Sequence, residues 1–318
     1  MVWTHNLNNI SVQPSFRSAG APSEKTYEYG TEFSLLSSCR TESACPHTAI
    51  TLGSGVQWHE AYAAASAANR TLVGGVSLGG SVGAAGGWLL GGGHSALSPS
   101  YGLGVDNVLE FTLVTSSGAH LTANVFRHPD LFWALRGGGG GTFGVVTSVT
   151  YQTRPLTPVI AFFLTATANS TRPNAALSSA FTEFVRITPA LETAGWGGYS
   201  FITPTPGDGR LSFAAFCIVP NVTSAQANVT ILPFFDYVRA VASNSSASGN
   251  PQDVLELGEA LTAEFGSFYE WYAAVIKSGA QVGSNVQLGS WLLPTEVIET
   301  THEDVAQTLL GIDGGVSY

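Results

Sequence analysis

Between Gly74 and Gly93, ten of twenty residues are glycine, and a second burst, "RGGGGGTFGVV", puts six more between Gly137 and Gly144. Glycine weakens a helix or strand by roughly 0.5–1 kcal/mol per residue relative to alanine, so neither window suits regular structure throughout. Glycine is favoured where φ must be positive or where backbone must approach another group closely. Runs of unhindered amides also form concave anion sites that suit a pyrophosphate. Trp88, Leu89, Leu90, Tyr101 and Phe143 lie in or beside the windows. Such large apolar residues argue against a flexible linker and for a nucleotide cofactor laid along bare backbone.

Three motifs compete for the glycines. A P-loop needs a lysine directly after glycine, and the only lysines are Lys25 and Lys277, so that site is excluded. "GGGTFG" (139–144) matches G-x-G-x-x-G, yet it follows a predicted helix and opens a strand, the reverse of the dinucleotide-binding order. "GGSVG" (79–83) matches the nucleophile elbow of serine hydrolases. Ser81, Asp106 and His120 even stand in the right chain order, although the flanks "VSL" and "AAGGWLLGGG" make a thin strand and a poor helix. A serine hydrolase therefore stands as the alternative. His94, in "GGGHS", either faces a bound ring or packs on Trp88 or Tyr101. No H-x-x-x-H pair and no Cys/His cluster has zinc spacing, so no metal site is expected.

Composition narrows the partners. The 318 residues suggest about two domains, and 44% hydrophobic content supplies a core. Only 11% of residues are charged and the net charge is −10, so nucleic acid is not an expected partner. No apolar run reaches the roughly 18 residues of a membrane span. Sequons at Asn9, Asn69, Asn169, Asn221, Asn228 and Asn244 exceed the two or three matches that chance predicts for about this composition. With the scarcity of lysine they suggest secretion, although "MVWTHNLNNI" has no signal-peptide character. Of the three cysteines, Cys39 and Cys45 are candidates for a disulfide, leaving Cys217.

Periodicity predicts a strand within 47–56, then a helix over 57–69 with Trp58, Ala61, Tyr62 and Ala65 on one face. It also predicts a short strand "TLVGG" and a hairpin over 105–123 turning at Ser-Ser-Gly. A helix over 128–136 opens at Pro129 and Asp130, and a β-branched strand covers 143–153. Beyond "RPLTP" glycine thins out. There the pattern predicts strands at 159–167, 197–203 and 210–219, helices at 174–187 and 224–241, and a polar loop "SNSSASGNPQ". A domain boundary is placed near residue 156.

The combination of "GGGHSALSPSYGLGVDNVLE" with "DLFWALRGGGGGTFGVVTSVT" resembles the berberine-bridge-enzyme-like branch of the vanillyl-alcohol-oxidase flavoproteins, in particular the secreted fungal FAD-linked oxidoreductases. The likeness is strong over 47–153. It implies an α+β fold: the second lobe of a PCMH-type FAD-binding domain (1–155), followed by part of a substrate domain (156–318) with an antiparallel sheet flanked by helices. It implies FAD as cofactor, a small-molecule substrate that loses hydride from a C–H, and oxygen as electron acceptor. Cofactor contacts are expected from Gly80, Ser81, Gly83, Gly86, Gly87, His94, Asp106, Gly141, Gly144 and Val146, and substrate contacts from Trp196 and Tyr199. The catalytic base is not assigned. Many members attach flavin through a cysteine aligned with Gly80, and often through a histidine in an earlier lobe. This chain starts at "VWTHNL", which resembles the last strand of that lobe, so it is expected to be an internal piece that binds FAD weakly by itself. A non-catalytic flavoprotein lobe is the remaining alternative.

Overall fold

A computed structural model describes residues 2–21, 48–277, 289–312 and 316–317. Cys39 and Cys45 lie outside the described residues. The chain packs as two units, Met1–Thr157 with Ser267–Gly283, and Pro158–Gly266 with Ser284–Tyr318.

The first unit is built on a sheet of β1 (Ile10–Gln13), β2 (Ala49–Gly53), β4 (Val108–Val114), β5 (His120–Ala123) and β6 (Val145–Gln152). Its order is β1-β2-β6-β4-β5, with every pair antiparallel. Helix α1 (Trp58–Ala67) buries Trp58, Ala61, Tyr62 and Ala65, the face that the periodicity marks. The expected strand "TLVGG" shrinks to β3 (Arg70–Thr71), paired with β7 (Arg154–Pro155). The glycines after Thr71 are held instead by aromatic hydroxyls: Tyr62 donates to the Gly75 carbonyl at 3.0 Å and Tyr151 to the Val73 carbonyl at 2.6 Å. Short α2 (Ser98–Tyr101) follows the first glycine window, and α3 (Pro129–Leu135) precedes the second. Trp58, Tyr62, Trp88 and Tyr151 form an aromatic cluster around Trp58, with ring centroids 4.9–6.2 Å from it.

The second unit has the sheet order β11-β8-β10-β9-β12, from β8 (Val159–Ala168), β9 (Gly197–Pro204), β10 (Leu211–Pro220), β11 (Leu255–Phe265) and β12 (Val316–Ser317). Side chains alternate between faces along a strand. Ile160, Phe162 and Leu164 of β8, with Phe213 and Ala215 of β10, share one core with α4 (Ala175–Thr193), α5 (Ser224–Ala247) and α7 (Thr295–Leu310). Helix α5 runs through the first half of the expected polar loop and is capped at Ser248, before Gly249 at φ +76°. Buried Ser245 sustains it: its hydroxyl donates to the Ala242 carbonyl and accepts from the Leu255 amide. Helix α6 (Phe268–Val275) belongs to the first unit and packs Phe268 and Tyr272 on Tyr62.

Candidate functional site

The two glycine windows meet. Gly139 N–H donates to the Leu90 carbonyl at 2.9 Å, and a Cβ at Gly137 would stand 3.9 Å from Gly92 backbone. The segment after α2 closes on the same place: Gly104 N–H donates to Gly93 at 2.6 Å and Val105 N–H to Gly92 at 3.0 Å.

The glycines fall into two classes. At Gly74, Gly75, Gly93 and Gly104 a Cβ would strike Trp58 or Trp88, so indole packing requires glycine there. Gly144 (φ +149°) is similarly pressed against the Val114 carbonyl, and a Cβ at Gly86 would stand 3.0 Å from the Ser54 carbonyl. Gly83, Gly87, Gly91, Gly92, Gly140 and Gly141 are different, because a Cβ at any of them would meet nothing within 4 Å. Gly92 and Gly141 have positive φ, but Gly83, Gly87, Gly91 and Gly140 do not. Neither backbone strain nor a neighbouring atom explains glycine at these four positions. They leave bare backbone open to solvent, a surface that a phosphate-bearing group can approach closely.

At the Ser77–Val82 turn, Gly79 and Gly80 have φ of +70° and +61°. His59 Nδ1 donates to the Gly80 carbonyl at 3.2 Å, and Gly79 N–H donates to Ile276 at 3.2 Å. A Cβ on Gly80 would overlap the Tyr272 hydroxyl, so this turn leaves no room for a cysteine. Ser81 closes the turn with its hydroxyl buried and without a protein partner. No hydrogen bond joins Ser81 to Asp106 or His120 among the described residues. His120 is exposed at the start of β5, and Asp106 accepts from the Leu103 N–H at 2.8 Å. The sequence motif therefore does not become a hydrogen-bonded triad.

His94 is exposed beside Gly93, so it is not a core histidine. Asp106 is also exposed, and its charge acts on Arg136 at the head of the second window. Burial lowers the Arg136 pKa, and Asp106 opposes that shift. Val146 is buried in β6 opposite Leu113. Sequence reasoning missed Asn107, which is 1% exposed and hydrogen-bonded on both its nitrogen and its oxygen. The available signal was an amide side chain between Val105 and Val108.

In the second unit, Trp196 is 3% exposed in the helix-side core, tilted against Phe162 and donating its indole N–H to Thr230 at 2.8 Å. Tyr199 pairs with Phe216 in register and lies on the opposite sheet face, 5.8 Å from its ring. The two expected substrate residues thus do not share a surface.

The family model described as "FAD binding domain" matches residues 22–124. The chain is 34% identical over 298 residues to the FAD-linked oxidoreductase ffsJ of Aspergillus flavipes, a match spanning 93% of this chain and 43% of that protein. Its fold superposes on VAO-type flavoprotein MtVAO713 from Myceliophthora thermophila C1 with a TM-score of 0.76 and 27% identity, covering 98% of this chain and 50% of that one. The chain belongs to the FAD-linked oxidoreductases of the VAO and berberine bridge enzyme type. A berberine bridge enzyme variant in complex with (S)-reticuline shares the fold at a TM-score of 0.56 and 19% identity, over 86% of this chain and 44% of that one.

FAD is the cofactor of this oxidoreductase family, and the open glycines suit it. Among the described residues no helix is long and apolar enough to cross a membrane. The chain spans less than half the length of the curated relative compared above.

Proposed function

We propose that the open glycines Gly83, Gly87, Gly91, Gly92, Gly140 and Gly141 carry FAD in an oxidase that removes hydride from a small-molecule C–H. The single observation behind this reading is glycine at Gly83, Gly87, Gly91 and Gly140, where the fold itself asks for none. When bound, FAD supplies the hydride acceptor, with oxygen as the final electron acceptor. The chain's part is to bind and orient. Bare backbone along the two windows would hold the phosphates, and His94 is exposed beside them. Asp106 holds the Leu103 amide, which makes it a bracing group rather than the base. Residues 1–155, joined by the returning helix α6, serve as the cofactor portion, and the rest of 156–318 as the substrate portion. Tyr199, on the sheet face away from the helices, is the substrate-facing candidate of the second portion. The sequon excess supports secretion as a glycoprotein.

The test is titration with FAD, read by flavin fluorescence and by the shift in melting temperature. Saturable binding that stabilises the fold supports the reading. Labelling of Ser81 by a fluorophosphonate with no response to FAD would favour the hydrolase.

A further inference from the structure

Gly92 and Gly93 have φ of +98° and +72°, a region that glycine enters as readily as it leaves. What fixes them is the segment after α2, through Gly104 N–H to the Gly93 carbonyl and Val105 N–H to the Gly92 carbonyl. That segment ends in a single 3-10 turn, Gly104–Asn107, and lacks a strand ladder of its own. Asn107 takes the place of a neighbouring strand. Its Nδ2 donates to the Tyr101 carbonyl at 3.0 Å and to the Leu103 carbonyl at 2.9 Å. Its Oδ1 accepts from Arg154 Nη2 at 3.0 Å. Arg154 stands on β7, and its guanidinium also lies 5.2 Å from the centre of the Tyr101 ring. Tyr101 is therefore held at its carbonyl by Asn107 and at its ring by Arg154.

The chemistry is specific to an amide. Two carbonyls need two N–H donors, and the guanidinium needs an acceptor. Asparagine supplies both from one buried group, whereas aspartate supplies no donor and leucine neither. We infer that Asn107, braced by Arg154, is a positioning residue for the cofactor cradle, setting the pose of Gly92 and Gly93 through the Tyr101–Val105 segment. This rests on the reading of the open glycines as the FAD site. Asn107 touches no open glycine itself. It acts through two backbone hydrogen bonds.

Asn107→Asp keeps the volume and removes both donors. The expected result is hydrogen exchange at Gly104 and Val105 that is faster by about tenfold, the weight of one or two net hydrogen bonds, with exchange in β4 and β6 unchanged. FAD affinity should weaken by a similar factor of about ten. If Asn107→Asp does not fold, Arg154→Met removes the brace alone, and the same two readouts apply with smaller changes. Equal acceleration of exchange across the whole sheet would reduce Asn107 to a general stability role and overturn the inference. Unchanged FAD affinity with faster local exchange would overturn it as well, while leaving the FAD reading intact. No FAD binding by the unsubstituted chain would remove both.

Discussion

The amide of Gly139 donates to the carbonyl of Leu90 at 2.9 Å, joining two glycine-rich windows separated by 43 residues or more in sequence, from Gly93 to Gly137. Each window alone is a weak signal. Brought together, they present open backbone on one unit from residues 83–92 and 140–141.

The open glycines predict a separation of affinity from stability. Gly83 has φ −66° and ψ 125°, a conformation that valine adopts readily. Gly83→Val should leave the fold as stable as before or more so by about 0.4–1 kcal/mol, since it lowers the entropy of the unfolded chain. FAD affinity should fall by about tenfold or more, the weight of one or two lost hydrogen bonds. Denaturant unfolding beside an FAD titration checks both. Loss of stability with normal affinity would assign Gly83 to packing.

The packed glycines predict the reverse. A Cβ at Gly104 overlaps Trp88, which is T-shaped against Trp58 at 4.9 Å. Gly104→Ala should cost about 1–3 kcal/mol through overpacking, measured by urea unfolding without any ligand. A neutral outcome would mean that the indole can move aside.

How far the sequence carries depends on whether a residue's role is local. Helix α1 was legible because its buried residues, Trp58, Ala61, Tyr62 and Ala65, repeat at helical spacing. The hairpin of β4 and β5 was legible from its turn, where Gly118 has φ +82°. The glycine windows were legible as special, but their division was not, because it depends on where Trp58 and Trp88 lie in three dimensions. The end of α5 was misplaced for a similar reason. Ser245 looks like a loop residue until its hydroxyl meets the distant Leu255 amide. Nothing periodic announced that α6 would return to the first unit, since that rests on contacts of Phe268 and Tyr272 with Tyr62. Asn107 was hidden in the same way, as its partners are carbonyls and one arginine far along the chain.

Alkaline pH should destabilise the protein. Burial pushes the Cys217 thiol and the Tyr272 hydroxyl up to about 12, from ordinary values of 9.0 and 10.0. Burial likewise raises Tyr151 and Tyr199. Between about pH 9 and 12 the unfolded chain releases protons that the folded chain keeps, so stability falls as pH rises through that window. Melting temperatures from pH 8 to 11 should decline, with the Cys217 thiol alkylated only on unfolding. A flat profile would show that these groups ionise freely in the folded protein.

The proposed secretion sorts the sequons by geometry. Asn69 and Asn221 are exposed and both have φ +56°, at turns that leave room for a glycan. Asn169 and Asn228 are half-buried, with Asn169 donating to Pro251 and Asn228 accepting from Thr262. Peptide mapping of protein secreted by a eukaryotic host should find glycans on Asn69 and Asn221 and none on Asn169 or Asn228. The opposite distribution would contradict the reading.

If the two windows together hold the cofactor, FAD should shield both of them at once. Hydrogen exchange of the chain with and without saturating FAD tests it most directly. Amides within residues 83–92 and 137–141 should gain protection together, with the sheet of the second unit unchanged. FAD binding that protects neither window, or only one of them, would contradict it.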